Sequence, residues 1–259
     1  MYKPGRTTRD GDIAGQWRMQ TRVQRVWDAS HATWFTLMGI GGGLFILARL
    51  MGISHELGLW FGLPAVDIVS FMVIGVGGMI LLADLGKPFR FFRALVNVRT
   101  SWISRGAVAD FVFLILATLL ILPNLKIGAA APFAGLPWES EATSGLGKVF
   151  EVVSILAAFL VMFYAGAVLS DPKSIPYWNS PLVPAQFLIS SGAMSVGVLS
   201  FFFLAVGKAI STEIVVLEIV FVALLLVSIL WHLKTRKDNP AKKESLSWLL
   251  KGKYKGLFL

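Results

Sequence analysis

Cysteine is absent from this chain of 259 residues. Without a thiolate the chain has no ligand for an iron–sulfur cluster, and it cannot close a disulfide. Histidine is nearly as scarce: only His31, His55 and His232 offer an imidazole to a metal or a haem. Charged residues make up 15% of the chain, too few to solvate an ordinary globular surface of this size. Alternating apolar and polar residues are missing too; the apolar runs are continuous, which argues against a membrane β-barrel. No short apolar segment with a small-residue cleavage site precedes Trp34, so a cleaved signal peptide is not expected.

What fills the chain instead is hydrocarbon. Hydrophobic residues are 56% of the total and the mean hydropathy is +0.70. Six apolar runs approach or exceed the ~20 helical residues that cross a bilayer. They are read as roughly Trp34–Met51, Leu59–Ala83, Ala107–Leu122, Val149–Leu169, Leu182–Val206 and Ile214–Leu233. The expected fold is all-α, a polytopic transmembrane bundle over residues 34–233. A basic amino tail (1–33) and a basic carboxyl tail (234–259) flank it.

Lysine and arginine outnumber the acids 24 to 15, but their placement points to topology rather than to nucleic acid. All except Arg49, Lys126, Lys148 and Lys208 fall on segments that alternation puts on one side of the bilayer. Those segments are the amino tail, the Asp84–Gly106 loop, the Ser170–Pro181 loop and the carboxyl tail. Basic residues favour the cytoplasmic side, so both termini are expected there. The basic tail can also meet anionic lipid.

The loop DLGKPFRFFRALVNVRTSWISRG, Asp84 to Gly106, is the most distinctive stretch. Its cations (Lys87, Arg90, Arg93, Arg99, Arg105) are interleaved with Phe89, Phe91, Phe92 and Trp102. Such a mixture suits the lipid interface, where cations reach headgroups and rings sit at their level. It equally suits a protein docking face, with Lys87, Arg90, Phe91, Arg93, Arg99 and Trp102 as its members.

Polar residues inside the runs are the candidate functional groups. Asp67 is expected well inside the second run, where a carboxylate needs a partner or a proton to carry. It either ties helices together or forms, with Glu151 and Glu218, part of a polar path. Asp110 lies within about two turns of the basic side, either paired with Arg105 or chemically active. Tyr164 stands ~7 Å short of the same side, at the depth of an aromatic belt. His31 sits at the mouth of the first helix, where capping is the simplest role, and Trp34 and Gln186 lie at similar depth. GIGGG (Gly39–Gly43) marks a surface for close helix packing.

The loop DLGKPFRF, the ending YAGAVLSDPKSIPYWNSPLVP and the glycine-rich first helix together resemble the NrfD/PsrC family over roughly Trp34 to Phe203. These are membrane subunits of polysulfide reductase-like complexes. The resemblance implies that the first four helices bind menaquinone or ubiquinone. It also implies exchange of electrons with an iron–sulfur, ferredoxin-like subunit that serves a catalytic oxidoreductase subunit, often a molybdopterin enzyme. Tyr164 matches the tyrosine of the family's Tyr-x-Gly ending; His31 falls where relatives carry a polar residue. The implied pocket gathers His31, Trp34, Asp110, Tyr164 and Gln186 at the basic face of a prokaryotic cytoplasmic membrane. Many relatives have more helices than six, and many dock their partners on the periplasmic side, whereas the charges here favour the cytoplasm. A haem b anchor, ligated by His31 and His232, is the main rival; a secondary transporter would show inverted repeats, which are not evident.

Overall fold

Glycine decides where the helices meet. The computed structural model describes residues 29–84, 92, 95–138, 145–172 and 177–235, with scattered positions (243, 246–247, 250–252, 256) beyond. Helix α1, Ala29–Leu50, runs through the middle of the bundle. The four glycines of its GIGGG segment face three different helices. Gly39 and Gly43 lie on Ser191 and Ser195 of α5 (Leu182–Ala205), Gly41 on Ser70 and Ile74 of α2 (Ala65–Asp84). Gly42 lies on Ala158 and Met162 of α4 (Gly145–Ser170). A side chain at any of the four would meet its neighbour, so the close crossings depend on hydrogen at these positions. Ser195 Oγ then donates to the Ile40 carbonyl at 3.0 Å, a polar clasp that the short α1–α5 separation permits.

The remaining helices arrange themselves around this axis. α3 (Trp102–Ile121) packs on α4, and α6 (Thr212–Thr235) packs on α5. All six are long and apolar enough to span a membrane, and the chain is an all-α polytopic bundle. α5 packs on both α1 and α4, so the first four helices are not a bundle apart from the rest. One core cluster joins α1, α3 and α4 through Met38, Phe45, Phe113 and Tyr164. The other joins α1, α2, α5 and α6 through Leu44, Val66, Leu199 and Ile214.

Four helix starts differ clearly from the sequence expectation: α1 begins at Ala29 rather than Trp34 and α4 at Gly145 rather than Val149. The second helix starts at Ala65 rather than Leu59. The intervening LWFGLP is a hairpin of β1 (Leu59–Trp60) and β2 (Leu63–Pro64), paired antiparallel. Phe61 and Gly62 both have positive φ, 54° and 80°, as a two-residue primed turn requires. The Lys126 amide donates to the Phe61 carbonyl at 2.7 Å and holds the hairpin to the α3–α4 connection. Apolar composition alone cannot distinguish this hairpin from another turn of helix. The third helix begins earlier than expected, at Trp102, capped by Ser101, whose Oγ accepts from the Ser104 amide at 3.4 Å.

Candidate functional site

At the basic end of the bundle, α1, α4, α5 and the loop before α5 form a cavity of about 300 Å3 that is open on one side, where Ala32 and Thr36 are exposed. His31, Ala32, Phe35 and Thr36 of α1 form one wall; Leu169, Trp178 and Phe187 form the others. The local chemistry that builds it is simple. Gly166 has no side chain, so the first turn of α5 comes up against α4, and a Cβ there would lie 2.5 Å from Pro184 Cα. Pro184 costs nothing in that first turn, where its missing N–H has no carbonyl to lose. The approach carries Phe187 into the cavity wall, 5.8 Å from Phe35 in an edge-to-face arrangement. Asn179 Nδ2 donates to the Ser170 carbonyl at 2.8 Å, closing the end of α4 and fixing the loop that carries Trp178.

Behind the cavity lies a sealed layer of rings and polar atoms. Trp34 is 1% exposed, stacks on Tyr164 at 5.9 Å and lies 6.2 Å from the His31 ring. Tyr164 is equally buried, and its hydroxyl donates to Met38 Sδ at 2.7 Å. Asp110 lies against that same hydroxyl, within hydrogen-bonding and electrostatic reach. Trp34 Nε1 and Asp110 Oδ1 are both buried without a hydrogen-bond partner among the described residues. Unsatisfied buried polar atoms are costly and each calls for a reason; Ser54 Oγ and Ser154 Oγ are others, away from the cavity.

The expected site residues therefore fall into two shells. His31 lines the cavity; Trp34, Tyr164 and Asp110 stand behind it rather than in its wall. The cause is Gly106 on α3: the Tyr164 ring occupies the space that a Cβ there would take, which turns it toward α3 and away from the opening. Asp110 is not paired with Arg105. The Arg105 guanidinium lies 4.3 Å from the Trp102 ring and donates to the Val98 and Arg99 carbonyls. Gln186 is half-buried and absent from the lining; its neighbour Phe187 takes that place. Phe35, Thr36 and Trp178 were missed. Trp178 lies inside IPYWNSP, and Phe35 and Thr36 fall one turn from His31, so helical spacing from that histidine is the signal that finds them.

The acids assigned to a polar path occupy three separate settings. Asp67 is in the first turn of α2, not deep in the span, and forms a buried ion pair with Arg49 at the far end of α1. Glu151 pairs with Lys148 at 2.7 Å near the start of α4. Glu218 does not face the interior at all; it is exposed on α6. His232, the other imidazole near the basic face, is buried with its ring 4.9 Å from Tyr177. Among the described residues no group of three or more His, Cys, Asp or Glu could hold a metal ion.

In the basic loop, Lys87, Arg90, Phe91 and Arg93 lie outside the described residues. Arg99 is exposed. Trp102 is half-buried, engaged by Arg105 on its face and by Phe163 at 5.7 Å edge-on. Phe92 and Val96 are large apolar groups that this loop exposes, at 54% and 74%.

The C subunit of polysulfide reductase from Wolinella succinogenes is 27% identical over 188 residues, covering 68% of this chain and 59% of that protein. Protein NrfD of Escherichia coli strain K12 is 26% identical over 185 residues, 65% of this chain and 57% of that one. The chain thus spans under two thirds of the length of these curated relatives. No solved structure matches significantly. The family model described as "Polysulphide reductase, NrfD" matches residues 17–259, and the chain belongs to that family.

Proposed function

We propose that this chain is the quinone-binding membrane subunit of a multisubunit respiratory oxidoreductase. The observation that carries the reading is the cavity at the basic end of α1, with its two polar groups and three aromatic walls. A quinone headgroup is flat, apolar on its faces and polar at two carbonyl oxygens. Phe35, Trp178 and Phe187 supply flat apolar surfaces, and the His31 imidazole can donate to a carbonyl, while the Thr36 hydroxyl, which donates to the Ala32 carbonyl at 2.8 Å, adds polarity to the wall. Bound there, the quinone supplies two-electron, two-proton carriage, which no side chain of a cysteine-free chain can provide.

The residues behind the cavity suit proton handling. Tyr164 stands between the ring layer and Asp110, and its hydroxyl can pass a proton toward that carboxylate. Electrons would leave or enter through an iron–sulfur partner docked at the same face, where Arg99 and the rest of the Asp84–Gly106 loop can meet its carboxylates. That the Wolinella succinogenes relative is named as one component of a reductase supports a role as one subunit among several. The membrane is then the cytoplasmic membrane of a prokaryote, and the terminal redox chemistry belongs to a further, catalytic subunit.

The test is quinone turnover by the intact complex in native membranes. Tyr164→Phe keeps the ring and its packing, so the fold should persist while turnover falls ~100-fold or more, the scale of a lost proton-transfer group. His31→Leu should mainly weaken quinone affinity. Unchanged kinetics in both variants would refute the site.

A further inference from the structure

Trp178 reaches the cavity from a short loop rather than from a helix, so its place depends on what holds Tyr177 to Pro181. Three tethers do. Asn179 Nδ2 on the Ser170 carbonyl ties the loop to α4. Ser180 Oγ accepts from the Leu182 amide at 3.2 Å, and the Ser180 carbonyl accepts from the Val183 amide at 3.1 Å, which ties it to α5. The third tether is the Tyr177 ring, which meets the His232 ring edge to face at 4.9 Å. His232 belongs to α6, a helix that supplies no residue to the cavity wall.

The helix pair explains how a distant element arrives there. α6 packs on α5, and Phe221 covers Gly192 near the middle of both. His232 lies ~16 Å further along α6, and the start of α5 lies ~15 Å back from Gly192. The antiparallel pair thus brings the imidazole level with Leu182 and the loop before it. His232 is 5% exposed, although Leu230 and Trp231 beside it are 56% and 59% exposed. An imidazole is costlier to bury than a leucine, so a specific contact has to justify it at this position. Its flat ring, inclined at 63° to Tyr177, has the tilted geometry that aromatic pairs favour. Tyr177 and Trp178 are adjacent, so a tyrosine held by α6 fixes the peptide that orients the tryptophan.

We propose, resting on the reading of the cavity as a quinone site, that His232 is a positioning residue: through Tyr177 it sets where Trp178 stands, and with it the width of the slot that grips a flat ring. His232 is not itself part of the cavity wall. Losing the contact therefore loosens binding and leaves Tyr164 and Asp110, the groups suited to proton handling, where they are.

The test is quinone kinetics of the intact complex in native membranes, beside a labelling measurement that needs no quinone. His232→Leu should raise KM ~3- to 10-fold, the worth of an aromatic pair, with kcat retained. His232→Phe keeps the ring contact and should stay within about twofold of the parent. Tyr177→Leu should match His232→Leu, and the two together should lose no more than either alone, since both remove one contact. For the labelling, Trp178→Cys places a unique thiol in a chain that has no cysteine. Its rate of reaction with a maleimide should rise when His232→Leu is added and stay unchanged when His232→Phe is added. A fall in kcat with KM unchanged, additive losses in the double variant, or a labelling rate indifferent to His232→Leu would each overturn the proposal and leave the quinone site standing. Faster labelling with a quinone KM unmoved by both His232→Leu and Trp178→Ala would overturn it by another route, by showing that quinone binds elsewhere.

Discussion

Arg49 and Asp67 sit at the outer end of α1 and α2, their side chains 3% and 1% exposed. The guanidinium also lies 5.6 Å from the Phe45 ring, and its place in the last turn of α1 opposes the negative helix end. Removing one member of a buried pair leaves an uncompensated charge, at a cost of ~3–5 kcal/mol. Arg49→Leu should therefore lower the melting temperature of the detergent-solubilised protein sharply. The double variant Arg49→Leu/Asp67→Leu should recover much of the loss; a double variant as unstable as the single one would contradict the pairing. At the other end, Asp110→Asn is nearly isosteric and should leave the fold intact while slowing quinone turnover, measured beside Tyr164→Phe. Equal, non-additive losses in the two single variants and their combination would show that they act as one unit. Residue by residue, legibility was uneven. Asp67 was visible as an acid that needed a partner, but Arg49 was hidden, because at the end of an apolar run it reads as flanking charge. Tyr164 and Asp110 were legible by depth; that they form a layer behind the cavity depends on Gly106, whose role is purely spatial.

Helices owe their positions here to hydrogen atoms at glycine. Gly106→Val should collide with the Tyr164 ring, costing ~1–3 kcal/mol by overpacking and displacing the tyrosine from Asp110. Gly75→Val is the matched control, since nothing stands within 4 Å of a Cβ there. Both stability in detergent and quinone turnover should separate the two variants, with Gly75→Val close to the parent. Element existence was plain from sequence, since six apolar runs correspond to six helices. Their ends were less so: LWFGLP is as apolar as a helix, and only the positive φ of Phe61 with Gly62 reveals a hairpin. GIGGG announced close packing, yet the division of its glycines among α2, α4 and α5 follows from rotation about the helix axis, which composition does not contain.

Among the described residues the cavity, Arg99 with Trp102 and the Tyr177–Asn179 segment share one face, while Arg49, Asp67 and the hairpin share the other. The cationic face is expected in the cytoplasm. A reporter fused after Lys255 tests this. It should be active when it requires the cytoplasm, whereas activity confined to a periplasm-dependent reporter would invert the orientation and leave the cavity assignment standing. The absence of cysteine makes the chain convenient for such mapping, because any single introduced thiol is unique.

α1 is the most enclosed of the six spans, 61% buried across its apolar window, and also has the lowest hydropathy, 1.4; α6 is the reverse, at 11% and 2.9. The two properties have one origin, since glycines that admit neighbours on three sides contribute little hydrophobicity. During synthesis, however, α1 reaches the translocon before any of those neighbours exists. Insertion at that moment is judged by side-chain hydrophobicity alone, and α1 is the weakest candidate among the six. Its stable residence in the bilayer must then wait for α2, α4 and α5 to arrive. Biogenesis of this protein is in that sense retrospective: a segment made early is secured by those made later.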